Sequence, residues 1–146
     1  MAVDVPAPLV SPDITGRVIP EDTWGILCVY AEARGEPYEG QIAVANVVRN
    51  RTERRWFSDG TIVGTVTRAK QFSWLNSDDG QRTRVFRVER GDPAWLMATR
   101  AWFESEHVKL VEDAVLYHAL TVEPYWAAHV RFISRIGAHI FYAEDK

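Results

Sequence analysis

Tyr30-Ala31-Glu32-Ala33-Arg34-Gly35-Glu36-Pro37, followed by Tyr38-Glu39-Gly40-Gln41, is the stretch on which the fold turns. Upstream, Thr23 to Ala33 reads as an apolar helix carrying Trp24, Ile26, Leu27, Cys28, Val29 and Tyr30, with its charge held back until Glu32. Gly35 offers a stop because it takes positive φ at no Cβ cost, and Pro37 forbids continuation. Glu32 therefore stands in the last turn of a helix that is apolar on most sides. Desolvation and the negative end of the helix dipole both favour its protonated form, and a carboxyl group with a raised pKa suits a general acid near neutral pH. The alternative is that Glu32 points to water or pairs with Arg34 or Arg51.

Downstream, Gly40 to about Arg51 predicts a second helix, apolar on nearly every side and therefore central. Small Ala43 and Ala45 would let it approach the first helix closely. Asn50-Arg51-Thr52-Glu53-Arg54-Arg55 reads as its solvated end. Ser58-Asp59-Gly60-Thr61 is a turn with a cap, and Ile62 to Val66 fits a helix or a strand. Gln71-Phe72-Ser73-Trp74 alternates polar and aromatic as a short strand would, and Arg82 to Glu89 is ambiguous. Asp92-Pro93 opens a third long helix, with the aspartate as cap and the proline at the first position. Ala114 to Ala119 predicts a strand, Pro124-Tyr125-Trp126 a helical turn, and Ile136 to Tyr142 a last strand. Upstream of the first helix, residues 1–20 hold Pro6, Pro8, Pro12 and Pro20 and read as an extended arm rather than a folded element. The pattern is α+β, with residues 21–146 as a single domain.

Composition bounds the partners. A chain of 146 residues with 47% hydrophobic and 25% charged residues can bury a real core. Its net charge of -3 argues against a nucleic-acid binder. No apolar run is long enough to span a membrane, and no basic-then-apolar leader opens the chain. Its one cysteine, Cys28, excludes an intramolecular disulfide and is compatible with cytoplasmic synthesis.

Four pieces taken together carry a resemblance. They are the Glu32 stretch with the helix through Asn50-Arg51; Gln71-Phe72-Ser73-Trp74; Ala114-Val115-Leu116-Tyr117-His118 with Pro124-Tyr125-Trp126; and Ile136-Gly137-Ala138-His139-Ile140-Phe141-Tyr142. Their order and content resemble the SleB-type cell wall hydrolases, the family of spore cortex-lytic enzymes and related phage lysins. The resemblance implies a lysozyme-like, mainly helical domain with a small antiparallel sheet that cleaves the glycan strand of peptidoglycan. It places the catalytic glutamate on Glu32 and implies lytic transglycosylation. A compact domain of this kind looks like a phage endolysin, made in the host cytoplasm and released through a membrane hole to reach the wall, working as a monomer without a cofactor.

The residues permit that chemistry. Glycoside hydrolysis usually needs two carboxylates, whereas a transglycosylase manages with one, because the muramic acid 6-hydroxyl attacks from within the substrate. Candidates for a second carboxylate are Glu36, Glu39, Asp78 and Asp79; the first two also suit helix capping. For the glycan groove the candidates are Gln71, Ser73 and Trp74, then Tyr117, His118, Trp126, His139 and Tyr142, against the plain reading that these aromatics complete the core. Gln71 and Ser73 are expected to face the cleft and Phe72 the core. A zinc amidase built on His107, His118, His129 and His139 lacks close helical ligand spacing, and Cys28 amid Trp24, Leu27 and Val29 reads as an inert core thiol rather than a peptidase nucleophile. A non-catalytic glycan-binding or virion module would keep the aromatics and have no need of Glu32.

Overall fold

The computed structural model describes residues 10–12, 18–68, 71–76 and 80–145, with the side chains of Val10, Ser11, Pro12, Val18, Ser73 and Asn76 outside that description. Among the described residues, six helices accompany a small sheet. In chain order they are α1 (Glu21–Ala33), α2 (Tyr38–Arg54), α3 (Ile62–Thr67), α4 (Ser73–Asn76), α5 (Gln81–Phe86) and α6 (Pro93–Glu104). Strands β1 (Val10–Pro12) and β2 (Val18–Pro20) precede them, and β3 (Leu116–Ala119), β4 (Arg131–Ile136) and β5 (His139–Ala143) follow. A 3-10 turn at Tyr125–His129 lies between β3 and β4.

Helix α1 is the axis. It packs against α2, α3, α5 and α6, and Trp24, Leu27, Cys28 and Val29 are buried in the main core cluster with Trp74, Trp102 and Phe72. The close approach of α6 needs Gly25, because a Cβ there would sit 2.4 Å from the Trp102 ring. Trp102 is pinned in turn by its indole N–H, which donates to Asp22 Oδ1 at 2.9 Å. The small residues of α2 serve as expected: Ala45 joins the α1 cluster and Ala43 packs with Ala33 under the sheet. The Thr61 and Asp92 caps also form, accepting from the N–H groups of Gly64 and Ala94.

The sheet runs β3-β5-β4, all antiparallel. Because directly opposed residues share a face, Tyr117, Phe141 and His139 look one way and His118, Ile140 and Tyr142 the other. The first face covers α2: Phe141 is fully buried with Val44, Val47 and Ala33.

Several expectations need correction. The last strand is a hairpin, β4 and β5 joined at Gly137-Ala138, where the sequence suggested one strand over 136–142. The strand expected at Gln71–Trp74 is absent; Ser73 begins a helical turn, with Phe72 and Trp74 both buried in the core, four residues being too few for alternation to separate a strand from a helical turn. Residues 62–67 and 81–86 resolve as helices. Within the arm, Val10–Pro12 pairs with Val18–Pro20 as an antiparallel ribbon, and Ile19 is buried in the core. Prolines are tolerated there because each strand of a two-stranded ribbon has an unpaired edge. Helix α1 ends without a left-handed glycine: Arg34 is right-handed, and Gly35 is not among the positive-φ residues. The stop comes from the turn closed by Glu36 N to Ala33 O at 2.9 Å and from Pro37, the N-cap of α2, which begins at Tyr38, two residues before its expected start.

Candidate active site

Glu32, in the last turn of α1, stands one turn beyond Cys28 on the same face. Across from it, β3 presents Tyr117, whose hydroxyl donates a hydrogen bond to Glu32 Oε1. The Tyr117 ring is held edge-on to His139, 5.0 Å between centroids, and tilted against Phe141 at 5.6 Å. The last turns of α2 fix the run into β3: Asn50 Nδ2 donates to Ala114 O at 2.9 Å, and Arg51 Nε donates to Val115 O at 2.8 Å. Arg51 is only 5% exposed. Its guanidinium lies 4.9 Å from the ring centres of both Trp56 and Phe72, and its Nη1 is buried without a hydrogen-bond partner.

This setting controls protonation. Burial raises the Glu32 carboxyl above its usual range, and the Tyr117 hydrogen bond and the Arg51 charge pull it partly back. Burial also pushes the Tyr117 phenol well up, with the Glu32 charge adding to it, so Tyr117 stays a donor. The Cys28 thiol is driven up by the same two causes in the same order and is fully buried, which leaves it inert. Of the two arginines weighed as ion-pair partners, Arg34 turns back on its own helix. It donates to Tyr30 O at 3.2 Å and lies 5.0 Å from the Tyr30 ring centre.

The sheet divides the sequence candidates. Tyr117 and His139 share the side of Glu32. His118, Trp126 and Tyr142 lie on the other face as a cluster of their own, so they do not converge with Glu32. There Tyr142 stacks on His118 at 5.4 Å, its hydroxyl 2.8 Å from His118 Nε2, while Nδ1 meets Ala119 O at 2.8 Å. Trp74 is fully buried and is a core residue, not a cleft wall. Gln71 is half-buried beside the buried Phe72. The side chain of Ser73 and both Asp78 and Asp79 lie outside the described residues.

The carboxylate alternatives separate as well. Glu36 caps neither helix; its Oε1 accepts from Ala138 N at 2.8 Å and lies 3.7 Å from His139 Nδ1, latching the β4–β5 turn onto the α1–α2 turn. Glu39 is exposed in the first turn of α2. Burial lowers the His139 pKa, with Glu36 opposing and His118 assisting. Among the described residues no three His, Cys, Asp or Glu side chains gather as a metal site.

Arg51 is the residue that sequence reading misplaced, since it is buried rather than solvated. Its spacing held the signal. Val44, Val47, Val48 and Arg51 recur at three and four residues, the positions of one helical face. The pairing of Tyr117 with Glu32, 85 residues apart, had no local signal.

Comparison with known proteins agrees with this picture. The sequence profile of the family described as Cell Wall Hydrolase matches residues 35–142, a segment that begins just after Glu32. The spore cortex-lytic enzyme of Bacillus subtilis (strain 168) is 35% identical over 113 residues, covering 77% of this chain and 34% of that protein. The spore cortex-lytic enzyme of Oceanobacillus iheyensis is 42% identical over 74 residues, covering 45% of this chain and 26% of that protein. The chain thus spans about a quarter to a third of the length of these curated relatives. Among solved structures, the catalytic domain of the germination-specific lytic transglycosylase SleB from Bacillus anthracis superposes with a TM-score of 0.68 at 27% identity, covering 84% of this chain and 93% of that one. The catalytic domain of the Bacillus cereus SleB protein gives 0.64 at 25% identity, covering 82% and 90%. With its profile match across most of the sequence and its α+β fold shared with these catalytic domains, the chain belongs to the cell wall hydrolase family.

Proposed function

We propose that this chain cleaves the glycan strand of peptidoglycan by lytic transglycosylation, with Glu32 as the single catalytic carboxyl group and residues 21–146 as the catalytic unit. The observation that carries the reading is the Glu32–Tyr117 pair: a carboxyl group raised by burial and oriented through one oxygen, at the end of the central helix. With Tyr117 engaged at Oε1, the other oxygen is the one to donate a proton to the glycosidic oxygen between N-acetylmuramic acid and N-acetylglucosamine. The resulting carboxylate then takes the proton of the muramic acid 6-hydroxyl as that oxygen closes on the anomeric carbon, giving a 1,6-anhydro product. One group serves in turn as acid and base, and substrate proximity replaces a second carboxylate. The use of Glu36 as a latch for Ala138 favours this over hydrolysis. The solved SleB relative named as a lytic transglycosylase supports the same reaction class.

Of the groove candidates, Tyr117 and His139 stand on the reacting side, and Gln71 remains a candidate sugar hydrogen-bonder. Mass spectrometry of fragments released from purified peptidoglycan tests the reaction. Ends in 1,6-anhydromuramic acid, lost in Glu32→Gln, support it; reducing muramic acid ends point to water as nucleophile, and free stem peptides with intact glycan reject glycosidic cleavage. The proposed biological setting is phage-driven host lysis by a monomer. Expression inside a bacterial host tests that role, with lysis expected only when a membrane hole is opened at the same time.

A further inference from the structure

We propose that Arg51 is a positioning residue for this reaction: a buried cation, fixed by a backbone carbonyl and two aromatic faces, that stabilises the carboxylate form of Glu32 when its proton leaves. The inference rests on the reading of Glu32 as acid and base and adds a group that eases its change from one form to the other.

A guanidinium at 5% exposure is costly to bury. Arg51 recovers part of that cost through Nε to Val115 O at 2.8 Å and through the Trp56 and Phe72 rings, each 4.9 Å away. These contacts use Nε and the faces of the guanidinium and leave Nη1 without a hydrogen-bond partner. No carboxylate among the described residues is ion-paired to Arg51 within 4.0 Å, and Nη1 has no hydrogen-bond partner. The geometry ties Arg51 to the Glu32 site through one short run of chain: Arg51 Nε holds Val115 O at 2.8 Å, and Tyr117, two residues further on, donates its hydroxyl to Glu32 Oε1. The acidic groups whose fields reach the guanidinium are Tyr117, Cys28 and Glu32. Tyr117 and Cys28 are held neutral by burial, so Glu32 is the group of the three that becomes charged.

The stand-off matters. A direct ion pair would lock Glu32 as a carboxylate and remove the acid at rest. A cation not paired directly with the carboxyl opposes the raising by burial only in part, yet favours the anion formed as the leaving oxygen takes the proton, in a buried site where such a field is strong.

Arg51→Lys keeps the charge; Arg51→Gln keeps a hydrogen-bond donor and removes the charge. Measured by loss of turbidity of purified peptidoglycan, the alkaline limb of kcat/KM should move to higher pH in Arg51→Gln, with kcat down at least about tenfold. It should stay in place in Arg51→Lys. Equal loss in both variants with an unmoved limb overturns the proposal. Stability supplies an arm independent of activity: on the alkaline side of the limb, Arg51→Gln should cost less in a Glu32→Gln background than in the wild-type background. If Arg51→Gln folds only with Glu32→Gln, the coupling is supported. An equal loss in both backgrounds, or failure to fold in both, makes Arg51 a purely structural residue and overturns the proposal. Should Glu32→Gln itself stay lytic, the glycosidase reading fails while this cycle still reports whether the two charges are coupled.

Discussion

Replacing Gly137 by alanine should unlatch the sheet from the α1–α2 turn. Gly137 sits at φ +59°, and a Cβ there would lie 2.4 Å from Glu36 Oε1 and 3.0 Å from Pro37 Cδ. The left-handed backbone alone costs an alanine about 1–2 kcal/mol. Glu36 must also swing away, which breaks the 2.8 Å bond from Ala138 N to its carboxylate. A hydrogen bond to a charged group contributes about 1.5–3 kcal/mol. The sum is roughly 2.5–5 kcal/mol, a large part of the about 5–15 kcal/mol typical of a domain. Urea denaturation of the wild type, Gly137→Ala, Glu36→Ala and the double variant separates the two causes. Once Glu36 is truncated the bond is already gone, so Gly137→Ala should then cost only the backbone term, and the single effects should overshoot the double by about 1.5–3 kcal/mol. A Gly137→Ala loss below about 1 kcal/mol, or strictly additive effects, refutes the latch.

The end of α1 gives two more predictions. Glu32 has a folded-state pKa raised above its ordinary 4.5, so the native state holds the proton longer than the unfolded chain. Stability is therefore full below about the unfolded pKa and falls as pH rises toward the folded one. Glu32→Gln should match the wild type in acid and become progressively more stable than it as pH rises, checked by thermal unfolding across pH; a gap independent of pH contradicts the burial of the carboxyl group. A Cβ added at Gly35 would meet nothing within 4 Å, and its backbone does not use positive φ. Gly35→Ala should therefore stabilise by about 0.4–1 kcal/mol through the unfolded chain; a loss of that size in chemical denaturation would show that the turn needs glycine after all.

Much of the helical frame was legible because its signals are local. The Asp92-Pro93 start, the Thr61 cap and the apolar run to Ala33 each lie within a few residues of the structure they dictate. The sheet was less legible. Strand β4, Arg131–Ile136, alternates poorly: Arg131, Phe132 and Arg135 are exposed, and a register shift falls between Phe132 and Ser134. An edge strand with one solvated side needs no apolar run to form. Gln71–Trp74 misled because a four-residue alternation is too short to tell a strand from a helical turn.

Glu32 is where the two kinds of information meet. Sequence by itself determined that a carboxyl group would stand at the end of an apolar helix, that Cys28 would be an inert core thiol one turn before it, and that α2 would be central. Chain-local periodicity and burial suffice for such conclusions. Only the tertiary structure decided that Tyr117 rather than Arg34 would engage the carboxylate, that Arg51 would be buried, and that His118, Trp126 and Tyr142 would lie on the other face of the sheet. Those outcomes depend on strand register and on packing between segments more than 60 residues apart. A one-residue change of register would exchange Tyr117 for His118 at the carboxylate without altering any local preference.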